Sequence, residues 1–402
     1  MTNGGVPRKR FWLRRILWTV GALVLGLMVV VAATVGYGAV QSQRAVELPP
    51  PPGDHAVGRA TMEWTDGTRT DPTADDDQRR TVAQWIWYPA VANTGEPAAY
   101  APEEWDTLHP PAPVGWFVTD FDKIATHAQV DATPTDGRFP VVILMPGLGF
   151  STPQYQGLAE GLASSGHIVV SPTPTHSSTS VVGGRVVDPT AAGGLPTEGT
   201  NEQIAPDADR LLETWAADAR YAASHLDDLP AGLAERIDAG KVIYVGHSFG
   251  GAAALAACTQ DDACVGAVDI DGYQFGVSSS PGLTTPYLLI GADGSCSIPT
   301  CTPTNDEQRD ERDVAQSVIS KATGPGWVAS IASTQHLGFT DYASYRVTQP
   351  IRSALEIGGA GPAAVTTTAR LLDAFVKIAF AGGQGDLELN PAPADLTIQR
   401  VP

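Results

Sequence analysis

Ser248 stands in Gly246-His247-Ser248-Phe249-Gly250, a G-x-S-x-G pattern preceded by the β-prone run "KVIYV" and followed by the Ala-rich "GAAALAA". A serine pinned in a sharp strand-to-helix turn, with glycines two residues either side to let backbones approach closely, has the setting of a nucleophile rather than of an ordinary turn residue. Its hydroxyl attacks poorly at neutral pH unless a base lies within hydrogen-bond reach and a third group orients that base. Where this turn carries a triad, the chain order is serine, acid, histidine. Of the eight histidines only His336 follows Ser248, so order alone makes it the candidate base. His247 is adjacent to the serine, but neighbouring side chains at a sharp turn diverge.

The acid is open between two strand ends. Asp271 closes the buried run "CVGAVDID" and Asp293 closes the next one, "PYLLIGAD". Asp269, two residues earlier on the same face, is a weaker third candidate. Acyl transfer also needs donors for the developing oxyanion, normally the amide after the nucleophile and one from an earlier strand-to-helix loop. These point to Phe249, at a helix N-terminus where the macrodipole assists, and to Leu148 in "PGLGF". His176, at the strand end "SPTPTHSS", is a candidate pocket residue.

The elements that must position these groups follow from the apolar pattern. "AVGRATMEWTDGTRTDP" and "RTVAQWIWYPA" alternate apolar and polar residues, as half-buried antiparallel strands do. From Phe139 the runs become continuous: "FPVVILM", "HIVVS", "KVIYVGH", "CVGAVDI", "PYLLIG" and "GWVASIAS" read as buried parallel strands. Helical spacing falls between them in "QYQGLAEGLASSG", "DADRLLETWAADARYAASHLDDL" and, last, "AAVTTTARLLDAFVKIAF". The expectation is an α/β fold, a mainly parallel sheet with helices on both faces and antiparallel N-terminal strands. Residues 177–206, rich in breakers, are expected to be a mobile insertion acting as a lid or binding loop.

Ahead of this domain, Ile16 to Val40 carries no charge, long enough to cross a hydrocarbon core that needs about 20 apolar residues. Arg8, Lys9, Arg10, Arg14 and Arg15 precede it, which places the N-terminus in the cytoplasm and the remainder outside. The expected organisation is a cytoplasmic basic segment (1–15), a transmembrane signal-anchor helix (16–40), a stiff Pro-rich spacer (41–57), a catalytic domain (58–390) and a C-terminal tail (391–402). A cleaved signal peptide, giving a secreted domain, is the alternative. The chain holds 25 Lys and Arg against 44 Asp and Glu, with five of the basic residues ahead of the apolar run. Such an acidic domain repels nucleic acid and anionic headgroups. Cys258 with Cys264 and Cys296 with Cys301 are close pairs, read as local disulfides in an oxidising compartment and not as the C-x-x-C knuckles of zinc sites. Asp75, Asp76 and Asp77 lack the remaining features of a calcium loop.

With these residues in view, the sequence resembles the α/β-hydrolase family that includes the secreted type (isoform II) of platelet-activating factor acetylhydrolase and its bacterial relatives. The resemblance rests on "TDGTRTDP", "WYPA", "FPVVILMPGLG", "GHSFGG", "DIDGYQF" and "HLGFTD", in that order, from about Arg59 to Gly382. It implies an α/β-hydrolase fold and takes the acid one strand earlier than most such enzymes, at Asp271. Pro146 departs from the family's usual His-Gly-Leu-Gly, removing a donor beside the oxyanion. The resemblance implies a serine hydrolase of short or oxidised acyl esters on glycerophospholipids, with Ser248, His336 and Asp271 as triad and no metal or organic cofactor. A broad carboxylesterase or cutinase-like polyester hydrolase, an acyltransferase to an envelope acceptor, and a hydrolase-like protein that only binds a partner are the alternatives.

Overall fold

The computed structural model describes residues 8–109, 115, 118–196, 201–276, 282–347 and 351–401. Its centre is built where the sequence is most apolar. Strands β6 (Phe139–Met145), β7 (Ile168–Thr173), β10 (Ile237–His247), β11 (Cys264–Ile270), β12 (Tyr287–Gly291) and β13 (Gly326–Ile331) run parallel in the order β7-β6-β10-β11-β12-β13. Continuous Val, Ile and Leu runs suit strands covered on both faces. One face packs under helices Asn201–Ser224 and Phe249–Thr259, the other under Gln156–Ser164 and Pro362–Phe380.

The N-terminal strands extend this sheet. β2 (Ala56–Thr70) and β3 (Arg79–Ala90) pair antiparallel, and β3 joins the parallel part by pairing antiparallel with β7. β3 is buried almost throughout instead of alternating, because both of its faces are covered: Ile86 and Tyr88 enter one core and Trp85 and Trp87 the other. β5 (Ile124–Val130) lies parallel to β2, with β4 (Glu96–Ala99) antiparallel beside it.

Three boundaries differ from the sequence expectation. Residues 41–57 are not a free spacer: β1 (Val46–Glu47) pairs with β5, Leu48 is buried, and the amides of Gly53 and His55 donate to Ser164 Oγ and O. Residues 391–402 are not a tail throughout, since β14 (Leu396–Val401) closes the far edge antiparallel to β13. Residues 177–206 are largely tied down. β8 (Ser180–Val182) and β9 (Arg185–Val187) form a hairpin, Ser177, Ser178 and Ser180 are buried, and the long helix begins at Asn201; residues 197–200 lie outside the described ones. Polar anchoring that leaves no periodicity explains the difference: Gly183 N–H donates to Glu63, and Thr190 Oγ1 to the Thr73 carbonyl.

The apolar N-terminal run forms one helix, Arg8–Ser42, in which Arg14–Ser42 has the length and composition to cross a membrane, as a signal sequence also would. Both expected cysteine pairs are disulfides, Cys258–Cys264 and Cys296–Cys301, which excludes these thiols as zinc ligands.

The sheet order also makes a crevice. From β6 the chain turns to one side to form β7, then crosses back to place β10 on the other side. Loops leaving the carboxyl ends of β6 and β10 therefore diverge, the usual place for a ligand site in such sheets.

Candidate active site

Ser248 follows β10 and caps the next helix with φ 56° and ψ −128°, a conformation that costs a non-glycine residue of order 1–3 kcal/mol. The glycines around it are required by close packing. A Cβ on Gly246 would lie 2.0 Å from the Gly250 carbonyl oxygen, and one on Gly250 would lie 2.2 Å from that of Pro146. The turn can close only if both lack side chains, and closing it lifts the half-buried Ser248 side chain above the sheet edge.

His336 begins a short 3-10 turn, His336–Phe339, after β13. Its Nε2 is 3.0 Å from Ser248 Oγ and its Nδ1 is 2.7 Å from Asp271 Oδ2. Asp271 follows β11 with φ 56°. Its second oxygen accepts from Ala292 N–H at 2.9 Å and from Ser297 Oγ at 3.0 Å. Burial opposes ionisation of Asp271, but the hydrogen bond and charge of His336, with the surrounding donors, hold it at about 2. Burial would lower the His336 pKa; the bond to Asp271, its charge, and the charges of Glu356 and Glu311 outweigh this and raise it.

The other acids are engaged elsewhere. Asp293 is exposed and accepts from Ser333 N–H at 3.1 Å, so it fastens the exit of β13 instead of facing the imidazole. Asp269 accepts from Gly272 N–H at 2.9 Å and from the Gln274 amide, bracing the turn beyond Asp271; burial raises its pKa well above the carboxylate range. His176 does not join Ser248. Its Nε2 lies 3.1 Å from Gln78 and 3.9 Å from Asp71, beside the buried Arg80, which pairs with Asp71 and Asp218. Only the next residue reaches the crevice, where the Ser177 carbonyl accepts from Gly149 N–H.

The loop after β6 supplies donors by elimination. Pro146 has no N–H, Gly147 donates to Tyr155 Oη at 2.8 Å, Gly149 to Ser177 O and Phe150 to Gly147 O. Leu148 N–H is left without an acceptor among the described residues, as is Phe249 N–H at the start of its helix. A Cβ on Gly147 would lie 3.3 Å from Ser248 Cβ, so this loop borders the serine directly. Half-exposed Leu148, Phe150, Tyr273, Phe275 and Leu337 lie on the segments that carry these groups, and Phe275 packs 5.9 Å from Phe249 between ring centroids.

Three contributors were not evident in the sequence. Tyr155 and His247 bond to each other at 2.9 Å, and His247 Nε2 lies 3.0 Å from the His336 carbonyl oxygen. Asp341, five residues beyond His336, accepts from Gln156 and Gly157 N–H at the start of helix Gln156–Ser164. The adjacency of His247 to Ser248 was the only local hint, and long-range caps such as Asp341 leave none.

No family model matches the chain, and no curated protein does. Among solved structures it is similar to a ferulic acid esterase from Streptomyces cinnamoneus. The two superpose with a TM-score of 0.70 at 25% sequence identity, covering 89% of this chain and 99% of that one. The fold is that of an α/β-hydrolase. This likeness supports the α/β-hydrolase fold without singling out the acetylhydrolase family.

Proposed function

We propose that this protein is a serine ester hydrolase, anchored by residues 16–40 with its catalytic domain outside the cytoplasm. The observation that carries the reading is the unbroken line Ser248–His336–Asp271, with two uncommitted amides, Leu148 and Phe249, beside the serine. Ser248 Oγ attacks the acyl carbonyl while His336 Nε2 takes its proton. The two amides receive the oxyanion of the tetrahedral intermediate. Collapse expels the alcohol, which takes the proton back from His336, and a water activated by the same imidazole then releases the acid. Asp271 stays ionised throughout, holding the imidazole and its positive charge. The esterase description of the structural neighbour supports the same chemistry.

For the substrate, the family resemblance and an anchor that keeps the domain at a lipid surface favour a short or oxidised acyl chain on a glycerophospholipid. A second reading is an ester of an aromatic acid. It is favoured by half-exposed Tyr273 and Phe275, with ring centroids 4.6 Å apart, and by the neighbour's description as a ferulic acid esterase. The acidic domain and the two disulfides fit export, whether the anchor is retained or cleaved.

An activated fluorophosphonate should modify Ser248 stoichiometrically; folded protein that takes up none is not a serine hydrolase but a binding protein on this scaffold. Turnover of an ester panel then separates the substrates. Preference for sn-2 acetyl phospholipid supports the first reading and preference for methyl ferulate the second. Equal use of simple aryl esters and polyester oligomers replaces both with a broad carboxylesterase.

A further inference from the structure

We infer that Tyr155 and His247 are positioning residues for the acyl-transfer step, forming a one-way hydrogen-bond line that locks the oxyanion loop to the nucleophile elbow and to the backbone of His336. The inference rests on the ester-hydrolase reading above and assigns roles to side chains that act through others: Tyr155 lies behind the oxyanion loop, and the His247 ring packs 4.6 Å from the His336 ring between centroids.

The direction of every link is fixed by the one before it. The His336 carbonyl oxygen can only accept, so His247 Nε2, 3.0 Å away, carries the proton. His247 is fully buried, and burial together with the neighbouring His336 depresses its pKa to about 3, so the ring is neutral at working pH. A neutral ring protonated at Nε2 has a bare Nδ1. Tyr155 Oη, 2.9 Å from that nitrogen, must therefore donate to it. Its oxygen is then free to accept from Gly147 N–H at 2.8 Å. The line runs Gly147 N–H to Tyr155, Tyr155 O–H to His247, and His247 N–H to the His336 carbonyl.

This line joins three segments, the loop after β6, the end of β10 and the turn after β13. It occupies the Gly147 amide, so the adjoining peptide presents Leu148 N–H as the loop's one uncommitted donor. At its other end it holds the main chain from which the catalytic imidazole projects. A misplacement of about 1 Å in such groups costs on the order of 10²-fold in rate.

The test uses full-length protein and p-nitrophenyl acetate, with kcat and KM measured separately for Tyr155→Phe, His247→Asn and His247→Gln. Asparagine keeps an acceptor near the Nδ1 position and loses the donor to His336; glutamine keeps the donor and loses the acceptor for Tyr155. Each variant should fold and lose about 10- to 100-fold in kcat, with KM changed by less than about 2-fold. Combining Tyr155→Phe with His247→Gln should cost less than the product of the single losses, because both break the same link. Folded variants with wild-type kcat would overturn the inference. Failure of all three to fold would also overturn it, since the line would then hold the fold and not the chemistry. A wild type that neither turns over ester nor takes up fluorophosphonate instead removes the ester-hydrolase reading itself.

Discussion

Asp271 and Asp293 carry the same group at the ends of neighbouring strands, and their surroundings give them different work. Asp271 is enclosed by Ala292 N–H, Ser297 Oγ and the imidazole, whereas Asp293 sits in solvent and holds Ser333 N–H. Asp271→Asn should lower kcat by about 10⁴-fold: Ala292 N–H and Ser297 Oγ hold the amide oxygen at the Oδ1 position, so its NH2 turns to His336 Nδ1, which imposes the wrong tautomer and leaves the imidazolium without its countercharge. Asp293→Asn should stay within about 3-fold of wild type, because its partner is one exposed amide. Steady-state turnover of both variants checks the pair, and the reverse ranking would move the acid to β12. The pH profile belongs to the same scale. In the proposed mechanism His336 must be neutral to accept the Ser248 proton, and Asp271 raises its pKa above the ordinary value. The acid limb of kcat/KM should therefore lie above the ordinary histidine value of about 6.5, and removing the charge at Asp271 should move whatever activity remains toward lower pH. As a stability term, Asp271 acts in the other direction. Its carboxylate stabilises the fold above the unfolded value of about 3.9, and that contribution is lost as pH falls toward about 2.

At the scale of elements, the elbow is a contact between two pieces of backbone. Gly250 lies against the carbonyl of Pro146, so the helix Phe249–Thr259 and the loop after β6 meet without intervening side chains. Gly250→Ala should drive these elements apart, abolish fluorophosphonate uptake by Ser248 and lower thermal stability, whereas an alanine at exposed Gly67, with open space around it, should do neither. Labelling and a melting curve on the two variants read this out. The disulfides serve the same region: Cys258–Cys264 ties the end of the elbow helix to the start of β11, and Cys296–Cys301 closes the loop that carries Ser297 to Asp271. Asp341 adds a tie of another kind, capping the helix after the oxyanion loop from the segment that bears His336.

Across the whole molecule, the apolar N-terminal helix and the domain are joined by a chain segment that folds with the domain. Ser42 is buried, its carbonyl accepts from Asp120 N–H, and β1 and Leu48 complete the outer edge of the sheet. A protein beginning at Gln41, which keeps Ser42 and its bond to Asp120, should therefore be soluble, melt as the full domain does and keep the proposed esterase activity. One beginning at Gly58 loses β1, Leu48 and the segment docked on helix Gln156–Ser164. Its melting temperature should be at least about 5 °C lower, the equivalent of a loss of one to a few kcal/mol. Equal melting temperatures would mean that residues 41–57 are only a tether.

The sequence by itself determined whatever is local or ordinal. The elbow is legible because a strand, a glycine-flanked serine and a helix are contiguous, and His336 because it alone follows Ser248. Buried parallel strands are legible because covering both faces demands unbroken apolar runs. Local pattern left two strand ends equivalent as partners of the imidazole; the family resemblance pointed to Asp271, and the tertiary structure brings that carboxylate, not Asp293, to His336. It decided that His176 faces Gln78 and Asp71, that residues 177–196 are anchored by scattered polar contacts, and that Leu396–Val401 forms a strand. It also decided that His247, beside the nucleophile in sequence, reaches away from it to join Tyr155 and the His336 backbone. Contacts between residues far apart in the chain leave no periodic trace, because the chain pattern records the face a residue occupies and not the partner it finds there.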